Sequence, residues 1–548
     1  MGDPRGGSGG HSVADRDRGA DAGLMSRDDM LARLRDRKTP WDVVIIGGGA
    51  TGLGAAVDAA SRGYDVALFE QADFAKGTSS RSTKLVHGGV RYLQQGNVAL
   101  VMEALRERGL LLSNAPHLVS DVAFIVPSYE WWESPFYGIG LKVYDLLAGR
   151  YGFGKSSHVT REDVQREIPS IQMEGLLGGT RYYDGQFDDA RLAINLASTA
   201  ARHGAVVVNY APVVRLLKDA QGAVRGVAVR DEESGDELEV RGQVTVNATG
   251  PFADAVRKLD RPDAEPIIEP SQGVHVVLDK SFLPGSTAIM VPHTDDGRVM
   301  FAIPWHGVAV VGTTDTPIRD VGLEPRALPE EVAFILETAN DYLSHPAEPS
   351  DILSVFAGIR PLVRVGGDAS TAELSREHAI LIDPVSGLMT VAGGKWTTYR
   401  KMAEDVVDRA VLLGDLDPRE CVTKELAIHG ADGWDDAAEE RRGRLGVYGS
   451  DAEAIATLET EPGNAERLHE RLPMTIAEVR WAARNEMART VDDVLARRTR
   501  ALLLDARAAV EAAPRVAAVL SEELGRDPKW RHAQAAAFVG LGAGYAQD

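Results

Sequence analysis

The sequence predicts an α/β fold in which a parallel sheet is interrupted by a mixed-sheet α+β insert and followed by a C-terminal helical domain. Three observations lead to this prediction. A strand, a glycine turn, a helix and a second strand follow one another within about 30 residues after Trp41. Short strands then alternate with helical stretches as far as about residue 345. Beyond about residue 400 the chain is rich in Ala, Leu, Arg and Glu at helical spacing, as in Thr475 to Asp505.

The N-terminal segment, residues 1–38, is predicted to be a disordered tail that ends in a short helix. Residues 1–25 are rich in Gly, Asp and Arg and poor in apolar side chains. Ser26 is a candidate N-cap for the helix, and Pro40 breaks the chain after it.

A strand–helix–strand unit comes next. Trp41 to Ile46 is a short, mostly apolar strand, an Ala-rich helix runs from about Gly52 to Arg62, and Asp65 to Glu70 is a second apolar strand. Further strands are predicted at Ala205–Tyr210, Val224–Arg230, Gln243–Asn247, Val274–Leu278, Val299–Ile303 and Val308–Gly312.

The composition is that of an ordinary soluble protein. Of the 548 residues, 44% are hydrophobic and 26% are charged, which excludes global disorder. The net charge of −21 argues against nucleic-acid binding, because phosphate contacts need clustered Lys and Arg. The single cysteine, Cys421, allows no intrachain disulfide and suits a reducing cytoplasm. We expect no secretory signal, no membrane span and no metal site.

The most informative motif is the glycine turn GGGATG at residues 47–52, which follows a strand and opens a helix. Gly47 allows the tight turn, Gly49 lets the backbone approach a pyrophosphate, and Gly52 lets the helix pack close to the strand. Glu70 ends the second strand, where a carboxylate can accept hydrogen bonds from an adenosine ribose. The unit predicts dinucleotide binding without separating NAD from FAD. The residues expected to contact the dinucleotide are Gly47, Gly49, Ala50, Thr51, Gly52 and Glu70.

Three later segments suit a long, extended cofactor. Gly77 to Leu93 (GTSSRSTKLVHGGVRYL) is dense in glycine and small hydroxyl residues, although such a stretch standing alone is typical of a surface loop. Thr245 to Gly250 (TVNATG) is the second segment. Ala392 to Arg400 (AGGKWTTYR) is a strand, a glycine turn and a new helix, whose N-terminus favours a second electronegative group.

Taken together, these segments resemble the FAD-dependent, membrane-associated respiratory glycerol-3-phosphate dehydrogenases, from Trp41 to beyond Leu504. The motifs that carry the resemblance are IGGGATGLGAAVDAASRG (46–63), TSSRSTKLVHGGVRYL (78–93), FDDARL (187–192), GTTDT (312–316), GIRPL (358–362), GGKWTTYRKMA (393–403) and VDDVLARRTRALLLD (491–505). The resemblance implies an FAD-binding Rossmann-like domain of the glutathione-reductase or amino-acid-oxidase kind, discontinuous within residues 39–403. It also implies a substrate-binding sheet domain at roughly 115–180 and 265–355, and a helical domain over 404–548.

The resemblance also assigns residues to the cofactor. It implies that the flavin ring lies near the glycine turn at residues 393–395. Beyond the first glycine turn and Glu70, the residues expected to contact FAD are Thr78, Ser79, Ser82, Lys84, Leu85, His87, Gly88, Gly89, Gly250, Gly393, Gly394, Lys395, Thr397 and Thr398.

The implied activity is oxidation of sn-glycerol 3-phosphate to dihydroxyacetone phosphate with hydride transfer to FAD. Such a reaction needs a phosphate clamp, a base and positive charge near the flavin. Arginine suits the clamp, because its planar fork matches a phosphate. The motif match gives Arg360 and Arg376 for the clamp, with Arg91 and Tyr92 as further candidates.

The expected base is His275, which apolar residues flank on a predicted strand. A histidine in such a place is more often a satisfied core residue, and it is the family match that favours the catalytic role. Lys395 stands at the start of a helix, where a cation is locally unfavourable unless an anion such as the flavin edge or the substrate phosphate is near.

Respiratory members of this family reduce quinone. The resemblance therefore implies a membrane quinone as acceptor, a homodimer, and a cytoplasmic protein that contacts the inner face of the cell membrane peripherally. The aromatic stretch from Trp131 to Leu147, with Lys142, Arg150 and Lys155 nearby, is the candidate membrane surface, although its aromatic side chains suit packing inside the protein equally well. Three alternatives stay open: an oxidase that passes electrons to oxygen, an oxidoreductase of another small anionic substrate, and an FAD-binding scaffold without activity.

Overall fold

The computed structural model describes residues 25–89, 97–292, 294, 298–364, 378–435 and 443–547. Within these ranges the chain forms two large sheets, helices that pack on them, and a mainly helical C-terminal part. This architecture confirms the predicted fold class. The predicted tail, residues 1–25, lies outside the described residues except for Met25. The predicted short helix is α1 (Arg27–Asp36), and the Ser26 side chain caps it by accepting a hydrogen bond from Asp29 N.

The first sheet is built around β1 (Trp41–Ile46), which is apolar and almost entirely buried. It pairs in parallel with β2 (Val66–Phe69) on one side and β10 (Glu237–Asn247) on the other. A strand that is covered on both faces is expected to be continuously apolar, as this one is from Val43 to Ile46. The remaining strands described in this sheet are β7 (Val206–Val208), β8 (Val213–Lys218), β9 (Val224–Arg230), β17 (Ala379–Ile382) and β18 (Met389–Ala392).

Helices cover this sheet and connect it to the glycine turns. Helix α2 (Ala50–Ser61) leaves the turn after β1 and contacts α6 (Asp189–Arg202) and α9 (Tyr399–Gly414). The N-termini of α2 and α9 both follow glycine turns, so each brings backbone N–H groups toward the carboxyl ends of β1 and β18.

The second sheet is mixed and mostly antiparallel. Its described strands are β3 (Leu85–Val86), β4 (Val119–Ser128), β5 (Ser157–Thr160), β6 (Gly178–Phe187), β11 (Ile268–Asp279), β12 (Ala288–Val291), β13 (Met300–Trp305), β14 (Val308–Gly312), β15 (Thr316–Pro317) and β16 (Ile352–Val363). Strand β11 lies between β14 and β16, so His275 has Gly312 opposite it on one side and Phe356 on the other.

Strand β11 is longer than the predicted Val274–Leu278. Its first half contains Pro270 and Gly273, which are poor strand formers, and the sequence pattern therefore misses it. This half is extended because it pairs along its length with β16, from Ile268 opposite Val363 to Gly273 opposite Gly358. The extra length matters because it brings Arg360 beside Ser271.

The remaining helices surround the sheets. They are α3 (Val98–Asn114), α4 (Glu133–Ala148), α5 (Arg161–Glu167), α7 (Ala253–Asp260) and α8 (Pro329–Asn340), followed in the C-terminal part by α10 (Ala452–Glu459), α11 (Ile476–Asn485), α12 (Ala501–Leu504), α13 (Ala506–Glu523) and α14 (Pro528–Gly542). A short hairpin of β19 (Arg467–His469) and β20 (Leu472–Thr475) precedes α11. None of the helices in the described ranges has both the length and the apolar character that crossing a bilayer requires.

A buried charge cluster joins the C-terminal part to the loop after β2. Arg497 and Arg498, in a π-helical turn at Asp493–Arg498, both form ion pairs with Asp73. All three side chains are at most 2% exposed. The two guanidinium groups hold the pKa of Asp73 below its usual range, although burial alone would raise it.

Candidate functional site

A cavity of about 590 Å³ is lined by residues of both large sheets. Its volume falls in the range of roughly 300–1,000 Å³ that is typical of small-molecule sites. The first sheet contributes the glycine turns after β1 and β18, and the second contributes β11 and β16 with their side chains. The sequence motifs that lie far apart along the chain thus meet in one place.

The glycine turn after β1 has the geometry of a dinucleotide-binding loop. Gly47 has a φ of +108°, and a Cβ there would lie 2.6 Å from the carbonyl oxygen of Ala248. A Cβ at Gly52 would overlap the carbonyl oxygen of Gly47. Gly49 is the N-cap of α2 and lines the cavity. Larger residues at these positions would push the turn and helix out of place.

Glu70 connects the end of β2 to the glycine turn. One carboxylate oxygen accepts a hydrogen bond from Gly48 N at 2.7 Å, and the other accepts one from Ala72 N at 3.0 Å. Burial raises the pKa of Glu70, and the two backbone donors oppose that shift. The side chain lines the cavity, where its remaining lone pairs are placed to accept hydrogen bonds from a ligand hydroxyl.

The hydroxyl-rich segment, residues 77–89 of the described chain, forms hydrogen bonds to three walls of the cavity. Thr78 Oγ1 donates to Ile359 O at 2.6 Å, on β16. Ser79 Oγ accepts from Ala50 N at 2.9 Å, in the first turn of α2. Trp396 Nε1 donates to Ser79 O at 2.8 Å, from the second glycine turn. The segment is therefore part of the site rather than a surface loop.

The second glycine turn lies after β18. Gly393 and Gly394 have φ values of +76° and +85°, which favour glycine. A Cβ at Gly394 would overlap the Met402 side chain, so the turn packs directly against α9. Lys395 and Thr397 line the cavity beside these glycines.

His275 is buried between two strands and faces the hydroxyl-rich segment. Its ring stacks on Phe356 with a centroid distance of 4.8 Å, and its Nε2 lies 2.9 Å from Thr83 Oγ1. The other ring nitrogen, Nδ1, is buried and has no hydrogen-bond partner among the described residues. Burial, followed by the charges of Arg360 and Lys84, lowers the pKa of His275 well below its ordinary value. The shift favours the neutral ring, in which one of the two nitrogens is a hydrogen-bond acceptor.

Arg360 lies in the same wall, on β16, where it is opposite Ser271 of β11. Its guanidinium donates to Asp315 Oδ1 at 3.0 Å, to Thr314 O at 2.9 Å and to Thr313 Oγ1 at 3.3 Å. Asp315 is buried and also accepts a hydrogen bond from Ser271 Oγ. These contacts fix the guanidinium at the cavity wall.

Most of the residues predicted for the site line this cavity. They are Gly47, Gly49, Ala50, Thr51, Glu70, Thr78, Ser79, Ser82, Leu85, His87, Gly89, Gly250, His275, Arg360, Gly393, Gly394, Lys395 and Thr397. Arg91, Tyr92 and Arg376 lie outside the described residues, so their predicted contacts stay predictions.

Four predicted residues do not line the cavity. Gly52 packs against Gly47, as its spacing predicts. The Lys84 ammonium points away and binds Asp189 and Ser80 O. Gly88 N donates to Tyr144 Oη at 2.8 Å, and Thr398 is buried behind the second turn. These four residues support the wall rather than form its surface.

Sequence reasoning missed other residues of the wall. Lys76 and Arg81 line the cavity, and both form ion pairs with Glu324. Arg298, at the entry to β13, lines it too. Arg81 belongs to the hydroxyl-rich segment, and a charged residue among small hydroxyl residues is a sequence feature that could have indicated a site residue. Arg298 stands in no recognisable motif.

The described residues fit FAD. The close approach at Gly47 and Gly49, together with the N-terminus of α2, suits a pyrophosphate. The cavity continues past the hydroxyl-rich segment to the second glycine turn, where Lys395 supplies positive charge for an electron-rich ring. Within the described ranges, no three His, Cys, Asp or Glu side chains are grouped as metal ligands.

Comparison with known proteins gives two family matches. Residues 42–400 match the FAD dependent oxidoreductase family, and residues 421–531 match the C-terminal domain of alpha-glycerophosphate oxidase. The chain is 41% identical over 533 residues to the mitochondrial glycerol-3-phosphate dehydrogenase of Homo sapiens, which covers 92% of this chain and 73% of that protein. It is 41% identical over 523 residues to the mitochondrial glycerol-3-phosphate dehydrogenase of Arabidopsis thaliana, which covers 88% of this chain and 83% of that protein.

A solved structure extends the comparison to the fold. The glycerol-3-phosphate dehydrogenase from Bacillus halodurans, complexed with FAD, is similar with a TM-score of 0.77 and 28% identity, over 96% of this chain and 98% of that one. Family match, sequence identity and fold agree with the resemblance that the motifs indicate. The chain belongs to the family of FAD-dependent glycerol-3-phosphate dehydrogenases.

Proposed function

We propose that this chain oxidises sn-glycerol 3-phosphate to dihydroxyacetone phosphate and passes the electrons to a membrane quinone. The observation that carries the proposal is that His275, Arg360 and Lys395 line the same cavity as both glycine turns. A base, a fixed guanidinium and a second cation next to a dinucleotide site are what oxidation of a phosphorylated alcohol requires.

The residues divide the work in the following way. Bound FAD supplies the hydride acceptor. Arg360, which Asp315 holds in place, binds the negatively charged substrate phosphate. His275, at the cavity wall, takes up the proton that the C2 hydroxyl loses. Lys395 stabilises the negative charge that develops at the second glycine turn during the reaction.

The proposed membrane contact is made by α4. The helix has a buried inner face, formed by Tyr137, Leu141, Tyr144 and Ala148, that packs on the second sheet and on α3. Its opposite face is apolar yet exposed, with Phe136, Ile139, Val143 and Leu146 between 41% and 79% exposed. Trp131 and Trp132 extend this face before the helix begins, at 80% and 43% exposure. We call these six residues the α4 face.

The composition of the α4 face suits a bilayer surface. Tryptophan is favoured at the headgroup level, and the apolar side chains can enter the outer part of the acyl region. Lys142 and Arg150 are exposed at the edge of the face, where they can pair with anionic lipid headgroups. The proposed location is the cytoplasmic side, at the inner face of the cell membrane. The homodimer stays a prediction from the family resemblance.

An oxidase is the second candidate, because the C-terminal match is to a domain of alpha-glycerophosphate oxidase. The cavity and the substrate would be the same in both cases. The two functions differ only in whether quinone or oxygen reoxidises the flavin.

Anaerobic visible spectroscopy of the purified holoprotein tests the proposal. Adding glycerol 3-phosphate should bleach the oxidised-flavin bands, and a soluble quinone should restore them, whereas glycerol without phosphate should leave them almost unchanged. A flavin that glycerol 3-phosphate does not bleach contradicts the substrate. Rapid reoxidation by air with a full yield of peroxide, and slow reoxidation by quinone, favours the oxidase.

A further inference from the structure

Thr83 lies beside the buried His275, and both residues line the cavity. We propose that the Thr83 hydroxyl is the group through which His275 receives the proton of the substrate, so that the base acts through Thr83 and not directly. The inference deepens the proposed oxidation of glycerol 3-phosphate and rests on it.

Burial is the first observation behind this inference. His275 is only 2% exposed and stacks on Phe356, while Thr83 is half-buried and lines the cavity beside it. The ring edge on the side of β14 is also closed, because a Cβ at Gly312 would lie only about 2.5 Å from His275 Cδ2. Of the two ring nitrogens, only Nε2 has a described polar neighbour, and that neighbour is Thr83 Oγ1 at 2.9 Å.

Hydrogen-bond directions then follow from the chemistry. For Nε2 to accept a proton, the Thr83 hydroxyl must donate to it, and the neutral ring carries its own proton on Nδ1. The lone pairs of Thr83 Oγ1 are then available to the cavity. They can accept a hydrogen bond from the C2 hydroxyl of a bound substrate.

The proposed step balances in atoms and electrons. The O–H bond of the substrate breaks, and its proton passes to Thr83 Oγ1 while the original Thr83 proton passes to His275 Nε2. The C2–H bond breaks at the same time, and hydrogen leaves with the bonding pair as hydride to oxidised FAD. The electron pair of the former O–H bond becomes the second bond of the ketone, and Thr83 ends the step as a neutral hydroxyl.

The chain on both sides of Thr83 is held unusually firmly. Ser82 donates to Asp189 through its backbone N–H at 3.1 Å and its hydroxyl at 2.7 Å. Lys84 donates to both oxygens of the same carboxylate, at 2.8 and 2.9 Å. Lys84 also has a left-handed backbone with φ of +64°, a conformation that surrounding contacts must maintain in a residue other than glycine. Asp189 and Lys84 are therefore positioning residues for the Thr83 hydroxyl.

Thr83→Val removes the hydroxyl and keeps the shape of the side chain, whereas Thr83→Ser keeps the hydroxyl and removes the methyl group. In stopped-flow mixing of the holoprotein with glycerol 3-phosphate, we expect Thr83→Val to reduce the rate constant of flavin bleaching by about 10² to 10³-fold. Thr83→Ser keeps the hydroxyl and should restore most of that rate. The bleaching rate at saturating substrate should fall in Thr83→Val. The substrate concentration that gives half of the maximal rate should change by less than about threefold, because the substitution removes no phosphate contact.

Thr490→Val is the matched control. Thr490 is also half-buried, but it lies outside the cavity lining, and its hydroxyl donates to Asp493 Oδ1 at 2.7 Å instead of approaching His275. Its effect on the bleaching rate should be far smaller than that of Thr83→Val. Equal losses in the two valine variants, or a loss below about fivefold in Thr83→Val, would overturn the inference.

A second readout does not depend on activity. Nitrogen-15 NMR of histidine-labelled holoprotein, assigned with His275→Asn, should show a neutral ring whose Nε2 signal carries the shift of a hydrogen-bond acceptor. That signal should move in Thr83→Val and stay in place in Thr83→Ser. A Nε2 signal that does not respond to Thr83→Val contradicts the inference. If the wild type does not bleach at all, the proposed substrate is wrong, and the NMR result alone then decides whether Thr83 serves His275.

Discussion

Lys84 Nζ lies 2.8 Å from Asp189 Oδ1, and both side chains are completely buried. The ammonium also donates to Ser80 O at 2.7 Å. An isolated charge is very costly in such a place, so each partner is tolerated only because the other is present. The pair fixes the segment that carries Ser79, Ser82 and Thr83 along the cavity wall.

Lys84→Met is therefore expected to destabilise the protein by about 3–5 kcal/mol, because Asp189 keeps a buried charge without its partner. Urea unfolding measures the loss, and the flavin retained after gel filtration shows whether the cavity wall is disturbed. Arg215→Met is the control, since its partner Glu239 and Arg215 itself are both more than half exposed, and the expected change is below about 1 kcal/mol. Similar losses in the two variants would contradict the expectation.

Gly52→Ala should abolish FAD retention. The added Cβ would overlap the carbonyl oxygen of Gly47, so either α2 or the glycine turn must shift away from the cofactor. The flavin absorbance per protein measures this effect directly. Gly140→Ala is the control, because a Cβ there meets nothing within 4 Å. Full flavin content in Gly52→Ala would show that the turn tolerates the displacement.

Arg360→Lys keeps the positive charge and removes the planar fork that contacts Asp315, Thr313 and Thr314. We expect KM for glycerol 3-phosphate to rise by about 10-fold or more, with a smaller change in kcat. Steady-state kinetics with a soluble quinone measures both constants. An unchanged KM would place the phosphate elsewhere along the cavity wall. Activity on unphosphorylated glycerol, however low, should be unaffected by the substitution.

Leu146→Glu places a charge at the centre of the α4 face and should weaken binding to the membrane. We expect sedimentation with vesicles that contain anionic lipid to fall by about 10-fold or more, because a carboxylate opposes both apolar insertion and the anionic surface. Leu412→Glu is the control, since Leu412 on α9 is 76% exposed and Leu146 is 79% exposed. Activity with a soluble quinone should be equal in both variants. Equal loss of vesicle binding in the two would mean that the α4 face has no special role.

Stability should fall as the pH is lowered below 6.5, and His117 should contribute to that fall. Burial lowers the pKa of His117 to about 3. The unfolded chain therefore binds a proton at this residue between pH 6.5 and 3, while the folded chain does not, so acid favours unfolding. At pH 5 the residue should account for about 2 kcal/mol of lost stability. Urea unfolding of the wild type and His117→Gln at pH 7 and 5 should show a smaller acid loss in the variant, and an equal loss in both would contradict this.

Apolar strands were the most predictable part of the fold. Val224–Arg230 and Val308–Gly312 have the predicted bounds, because valine and alanine make up most of each short segment. The first half of β11 could not be predicted, since Pro270 and Gly273 are extended only by their pairing with β16. Long-range pairing is a property of the folded chain and leaves no local pattern.

The site residues that could be predicted are those that belong to recognisable sequence motifs. The glycine turns are predictable because turn geometry is local, whereas His275 is predicted only through the family resemblance. The direction of the Lys84 side chain was not predictable, because it depends on Asp189, more than a hundred residues later. Trp396 and Thr83 were passed over for the same reason, as their partners Ser79 and His275 are distant along the chain.

The ion pairs of Asp73 with Arg497 and Arg498 connect the two segments of the chain that match separate family models. The first family match ends at residue 400 and the second begins at residue 421. The charge cluster joins the two matched segments, and its Asp73 lies only three residues after Glu70. A chain cut there would leave Asp73 buried beside the cofactor loop without its cations. The two segments therefore depend on each other, and a chimera that exchanges one of them for a relative's must carry Asp73, Arg497 and Arg498 as a matched set.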